Sequence, residues 1–144
     1  MLRAPRGTRL EVPADPSQPA QRVDAVSGAL MLLPRALFAR IGGFDAGYRL
    51  HAEDLDLCRR VRDAGHAVVC ANAVRVVHGK GGSSRHRALF VAAHKRRSLW
   101  RWFVTFDPAA RNPLLRGVAW VGLWMHYGLL YPRAAWRQWQ ARGR

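Results

Sequence analysis

The acidic pair Glu53-Asp54 stands immediately ahead of an apolar-periodic run. Farther along, His78 is followed by the glycine-rich stretch Gly79-Lys80-Gly81-Gly82-Ser83-Ser84. A carboxylate fixed where a substrate hydroxyl can reach it is the residue type that removes a proton in a transition state. A histidine at the end of a strand can hold a metal or a phosphate group, and a glycine-rich loop beside it lets backbone N–H groups approach an anion. Each feature also has a plainer reading. Two acids at a helix start gain about 0.3–1 kcal/mol from the helix macrodipole with no chemistry involved. A histidine ending a strand is often only a satisfied polar residue, and a Gly/Ser loop is often simply solvated. Asp56, two residues beyond Asp54, points to another side of the helix and reads as structural.

These residues need elements to hold them. The run 23–33 is apolar enough for a buried strand, and Pro34 then opens a short segment of helical spacing over 35–41. Gly42-Gly43 ends that helix with two residues free to take positive φ and leads into a loop that runs to His51. The helix opened by Glu53 carries an apolar stripe of Leu55, Cys58, Val61 and Ala64, with Arg59, Arg60, Arg62 and Asp63 facing away, and Gly65 closes it. Short strands over 67–70 and 74–78 follow, giving a mixed α/β layer. After Arg85 the texture turns basic and aromatic. Helical spacing covers 88–106 and again 114–139, the latter interrupted near Pro132. The division is therefore a polar, Pro-rich leader over 1–22, an α/β unit over 23–87, and a basic amphipathic helical tail over 88–144.

Composition narrows the class. The chain of 144 residues is long enough for one domain with a core, and its formal charge of +15 favours polyanionic partners. Cys58 and Cys70 form neither a CxxC pair nor part of a Cys/His cluster, which argues against a disulfide scaffold or a zinc site and for reduced, buried thiols. The first 22 residues lack the apolar core of a secretion signal, so a cytoplasmic reacting face is expected. The tail mixes cations with aromatic rings over 94–103, and 117–131 is apolar apart from His126. That stretch is shorter than the roughly 20 residues that span a bilayer and lies between Arg116 and Arg133, a pattern for lodging at a membrane surface. Two helices packing on the domain is the ordinary alternative.

Four segments in order carry a resemblance: Ser27-Gly28-Ala29-Leu30-Met31-Leu32, Gly42-Gly43-Phe44-Asp45, Glu53-Asp54-Leu55-Asp56-Leu57-Cys58-Arg59-Arg60 and Val76-Val77-His78. Together they resemble the acceptor-binding, catalytic-base half of bacterial family 2 glycosyltransferases of GT-A type, rhamnosyltransferases among them. The resemblance implies a partial GT-A fold with a mixed sheet, and inverting transfer of a sugar from a nucleotide-sugar to a cell-surface glycan or lipid-linked acceptor. It implies Asp54 as the base with Glu53 beside it. Gly28, Ala29, Gly43, Phe44 and Asp45 would border the substrates, with Lys80, Ser83 and Ser84 on the diphosphate. His78 would stand at a divalent metal, Mg²⁺ or Mn²⁺. No nucleotide-binding half with an Asp-x-Asp motif precedes residue 23, so a shortened enzyme, or one whose first half is separately encoded, is expected. Its place would be peripheral, on the inner face of the cell membrane. A reading from another class is a noncatalytic basic module that binds anionic membrane or nucleic acid. The lack of an RNA-binding or zinc-finger signature argues against nucleic acid.

Overall fold

The computed structural model describes residues 13, 15–77 and 88–142. In chain order the elements are β1 (Ala20–Arg22), α1 (Arg35–Arg40), α2 (Glu53–Asp63), β2 (Val69–Ala71), α3 (Ala88–Phe106), a 3-10 turn (Pro108–Arg111) and α4 (Pro113–Arg142). The architecture is mixed α/β with a two-stranded antiparallel sheet, in which Ala20 pairs with Ala71, Gln21 with Cys70 and Arg22 with Val69.

The segment 23–33 is not a strand. The Val23 N–H still donates to the Val68 carbonyl at 3.1 Å, and beyond it the backbone leaves the ladder. Val23, Ala25, Val26, Met31 and Leu33 instead pack as irregular chain against the small core of Leu37, Cys58, Val61 and Val68, while Leu32 is fully exposed. The strand begins earlier, at Ala20, where the Asn72 side-chain amide donates to the carbonyls of Asp15 (2.9 Å) and Gln18 (3.1 Å) and ties the approach to the end of β2. Residues 74–77 are not a strand either, and His78 lies outside the described residues.

Gly42 and Gly43 adopt φ of +80° and +66°, the conformation the glycine pair was expected to supply after α1. α2 is a helix where expected, but its buried side is rotated. Asp56, Leu57, Cys58 and Val61 are buried, whereas Leu55 is 45% exposed and Ala64 is also exposed. The cause is an ion pair one helical turn long. Arg60 donates through Nε to the Asp56 carboxylate at 2.8 Å, and through Nη1 to the carbonyls of Ile41 (2.6 Å) and Gly43 (2.7 Å). With its charge matched, Asp56 can turn inward, and Arg60 follows it instead of facing water.

α3 has the predicted bounds. α4 differs, because it runs through Pro132 as one helix instead of breaking there. Its start is legible in sequence: Pro113 needs no N–H partner in the first turn, and the Asn112 side chain accepts from the N–H of Leu114 (2.9 Å) and Leu115 (3.3 Å). α3 packs along α4, burying Tyr127, and the Arg96 guanidinium lies 3.6 Å from the centre of the Trp124 ring. No helix among the described residues is long and apolar enough to cross a membrane.

Candidate active site

An open cleft of about 850 Å³ lies between the head of α2, the 27–29 segment, the 44–52 loop and one face of α3. Six of the sequence-predicted site residues, Gly28, Ala29, Phe44, Asp45, Glu53 and Asp54, line it. Gly43 does not. Its carbonyl is held by Arg60, and an added Cβ would stand 3.2 Å from the Phe38 ring. His78, Lys80, Ser83 and Ser84 lie outside the described residues.

Asp54 is placed by the start of α2. The backbone reaches it through two consecutive non-glycine residues of positive φ, His51 (68°) and Ala52 (66°), the second of them buried and acting as the N-cap. An L-residue in this region is strained by roughly 1–2 kcal/mol, and such strain tends to collect where a local geometry is functionally required. The Asp54 carboxylate then accepts from two backbone donors. Oδ2 takes the Gly28 N–H at 3.0 Å and Oδ1 takes the Leu55 N–H at 2.8 Å. Each carboxylate oxygen keeps a further lone pair, so the group is oriented from behind and still able to accept a hydroxyl proton from the cleft. A Cβ on Gly28 would meet the Asp54 side chain at 3.5 Å, ordinary contact, so the glycine is not demanded by crowding at that point.

Two more polar atoms on the cleft residues are buried without a hydrogen-bond partner, Glu53 Oε2 and the Tyr48 hydroxyl. Burial pushes the Tyr48 phenol up to about 12, with the nearby Asp56 charge adding to the shift. Asp45 is engaged elsewhere. Arg101 on α3 donates to it through Nε (2.7 Å) and Nη2 (3.0 Å), and the Gly47 N–H donates at 2.8 Å. The Arg101 hydrogen bond, followed by that of Gly47, holds the Asp45 carboxyl below its ordinary range. The Ser98 hydroxyl donates to the Leu50 carbonyl at 2.8 Å and fastens α3 to the same loop.

α3 thus supplies a wall of the cleft through Lys95, Ser98 and Leu99, and the loop adds Tyr48 and Arg49. The sequence placed none of these five at the site, and Lys95, Ser98 and Leu99 fall in the 94–103 run read there as part of a membrane-surface pattern. Lys95 and Ser98 share a helix face by their three-residue spacing, a signal that carries meaning only once that face is known to meet the loop. Neither Arg49 nor Lys95 has a carboxylate partner among the described residues, because the four ion pairs there use Arg59, Arg60, Arg62 and Arg101. Likewise among the described residues, no three His, Cys, Asp or Glu side chains converge as a metal site, and Cys58 and Cys70 are unpaired thiols.

Known proteins are similar to this chain in sequence. A family model described as glycosyltransferase like family 2 matches residues 10–105. N-acetylglucosaminyl-diphospho-decaprenol L-rhamnosyltransferase of Mycobacterium tuberculosis (strain H37Rv) is 30% identical over 114 residues, covering 68% of this chain and 37% of that protein. Rhamnosyltransferase WbbL of Escherichia coli (strain K12) is 34% identical over 96 residues, 65% of this chain and 33% of the relative. O-antigen biosynthesis protein RfbC of Myxococcus xanthus is 32% identical over 65 residues, 45% of this chain and 5% of the relative. The match spans 37% and 33% of the two rhamnosyltransferases, about a third of their length. No solved structure matches.

Proposed function

The chain belongs to glycosyltransferase family 2, and from that premise we propose that its cleft binds the acceptor of an inverting sugar transfer, with Asp54 as the base. The observation that carries this reading is the Asp54 carboxylate, oriented by the Gly28 N–H on the wall of a cleft that also gathers Ala29, Phe44, Asp45 and Glu53. In the proposed step Asp54 takes the proton of an acceptor hydroxyl as its oxygen bonds to the anomeric carbon of the donor. The bond from that carbon to the diphosphate breaks on the opposite face, and the configuration inverts. Glu53 and Tyr48 line the same cleft and in this reading border the acceptor.

The described segment is read as the acceptor half of a GT-A fold, completed by a nucleotide-binding half in the same or a separate polypeptide. A divalent cation, with His78 beside it and Lys80, Ser83 and Ser84 on the phosphates, would neutralise the departing diphosphate. The described residues alone do not assemble such a centre. The relatives named for rhamnosyl transfer and for a diphospho-decaprenol acceptor favour a deoxyhexose donor and a lipid-linked acceptor. A peripheral position on the cytoplasmic face of the membrane fits that acceptor.

The test is transfer from a panel of nucleotide-sugars to membrane acceptors, with the chain alone and with a nucleotide-binding half added. Asp54→Asn is expected to lower the rate by about 10²–10⁴-fold, the usual worth of a positioned base, while leaving the fold unchanged by circular dichroism. Unchanged transfer in Asp54→Asn would remove Asp54 from the reaction. Absence of both transfer and nucleotide-sugar binding in every combination would favour the noncatalytic module.

A further inference from the structure

α4 has one packed side and one open side. Ala119 and Leu123 are half-buried and Tyr127 is buried, one turn apart, on the side that meets α3. Opposite them Leu114, Val118, Val121, Met125, Leu129 and Trp136 are exposed at helical spacing, a stripe that winds along most of the 30-residue helix. Gly117 and Gly122 sit in this face, and a Cβ added at either would meet nothing within 4 Å, so no packing inside the described chain explains them. They floor an apolar groove of about 540 Å³ walled by Leu114, Val118, Val121 and Met125. A continuous apolar surface of this kind marks an interaction site.

Charge identifies the occupant. Asp107 is the only acidic side chain from residue 64 to the end of the sequence, and α4 contains none. Arg111 and Arg116 at one end and Arg133 toward the other are exposed. The rings of Trp120, Trp124, Trp136 and Trp139 are all 45% or more exposed. Arginine and tryptophan around an apolar stripe, with no carboxylate to repel phosphate, complement the boundary between anionic headgroups and acyl chains. No helix among the described residues is long and apolar enough to cross a bilayer, so the contact this face offers a bilayer runs along its surface.

We propose that α4 beds in the plane of an anionic membrane through the Leu114–Val118–Val121–Met125–Leu129 stripe, its groove filled by acyl chains and its arginines among the headgroups. Because α3 packs on α4 and also walls the cleft, this docking holds the cleft at a fixed height above the lipid. The purpose assigned here rests on the proposed lipid-linked acceptor, but the docking is measured without any transfer.

The experiment is sedimentation of the full chain with vesicles of phosphatidylcholine alone or mixed with phosphatidylglycerol, together with tryptophan emission. Wild type is expected to bind the anionic vesicles at least about tenfold more tightly, to shift its emission to the blue, and to lose binding as salt rises. Val121→Glu/Met125→Glu is expected to lose about tenfold or more with its helix content intact. Arg116→Glu/Arg133→Glu keeps the stripe and should lose the preference for the anionic vesicles. Asp54→Asn should bind as wild type does, which separates this docking from the catalytic reading. Equal binding by wild type and the Val121/Met125 variant overturns the proposal. So does a dimer in the ultracentrifuge that the same two substitutions dissolve, with no vesicle binding, an outcome that gives the face to a second copy.

Discussion

Arg60→Ala is the substitution whose cost follows most directly from the geometry. The guanidinium donates to the Asp56 carboxylate and to the carbonyls of Ile41 and Gly43, and Asp56 itself is only 2% exposed. Truncating Arg60 leaves a buried carboxylate with no counter-charge, a defect that costs about 3–5 kcal/mol. The two carbonyls lie beside the space the side chain vacates, where water can enter, so they add little. Against a total stability of about 5–15 kcal/mol for a domain this size, the variant loses about a fifth or more. Arg60→Lys keeps a positive charge near Asp56, but its single nitrogen cannot span acceptors that Nε, Nη1 and Nη2 reach from different positions, and about 1–3 kcal/mol is expected from the lost charged hydrogen bonds. Urea unfolding followed by circular dichroism and tryptophan emission measures both. Asp56→Ala combined with Arg60→Ala should cost less than the two single changes added together, since the pair then leaves nothing charged behind. A loss under about 1 kcal/mol for Arg60→Ala would refute this reasoning, because Asp56 would then be hydrated and not held by Arg60.

Ala52→Gly removes the Cβ from a buried position at φ 66°, and stability is expected to rise by about 0.5–1 kcal/mol after the extra freedom of glycine in the unfolded chain is subtracted, read as a higher urea midpoint. Tyr48→Phe deletes a buried hydroxyl with no partner and should leave the protein as stable or more stable, by up to about 1–3 kcal/mol. The same variant tests the alkaline edge. With the folded Tyr48 phenol raised to about 12 from 10.0, its contribution is intact below the unfolded value and is lost as pH climbs from 10 to 12. Wild type should therefore lose stability faster than Tyr48→Phe across that window, and parallel curves would show that Tyr48 is not shielded from water.

The side of the cleft formed by the head of α2 was legible because its residues sit in contiguous motifs. Glu53-Asp54 begin a helix where the apolar run said one would begin, and Gly42-Gly43 take the positive φ that only glycine adopts freely. The wall contributed by α3 was not legible, since Lys95 and Ser98 acquire meaning through contacts with a loop more than 40 residues earlier, as in the Ser98–Leu50 bond. The buried side of α2 was misread for a related reason. Periodicity ranks Asp56 as polar and assigns Leu55 to the core, whereas a salt partner four residues on reverses the order. The segment 23–33 has the composition of a strand, but a strand also needs a neighbour, and composition cannot supply one. Pro132 was read as a helix break, yet a single missing donor near the open end of a long, packed helix does not stop it.

The polar contacts explain how so small a core holds a defined site. The apolar cluster beneath the cleft contains four buried side chains, Leu37, Cys58, Val61 and Val68, too few to fix every loop around it. Four cross-links between distant segments do that: Gly28 to Asp54, Ile41 and Gly43 to Arg60, Leu50 to Ser98, and Asp45 to Arg101. Each joins an irregular stretch to a helix, so the helices set the geometry and the loops inherit it. The position of the Asp54 carboxylate therefore depends on residues that do not touch it. Arg60 orders the turn that leads toward His51 and Ala52, and those two strained residues deliver Asp54 to the cleft. The same logic separates the two kinds of acid at the head of α2. Asp56 is matched in charge inside the protein and closes the structure, whereas among the described residues Asp54 accepts from two backbone N–H groups and lines the cleft. In the proposed reaction, a carboxylate oriented by neutral donors is the one that accepts a proton from an incoming hydroxyl.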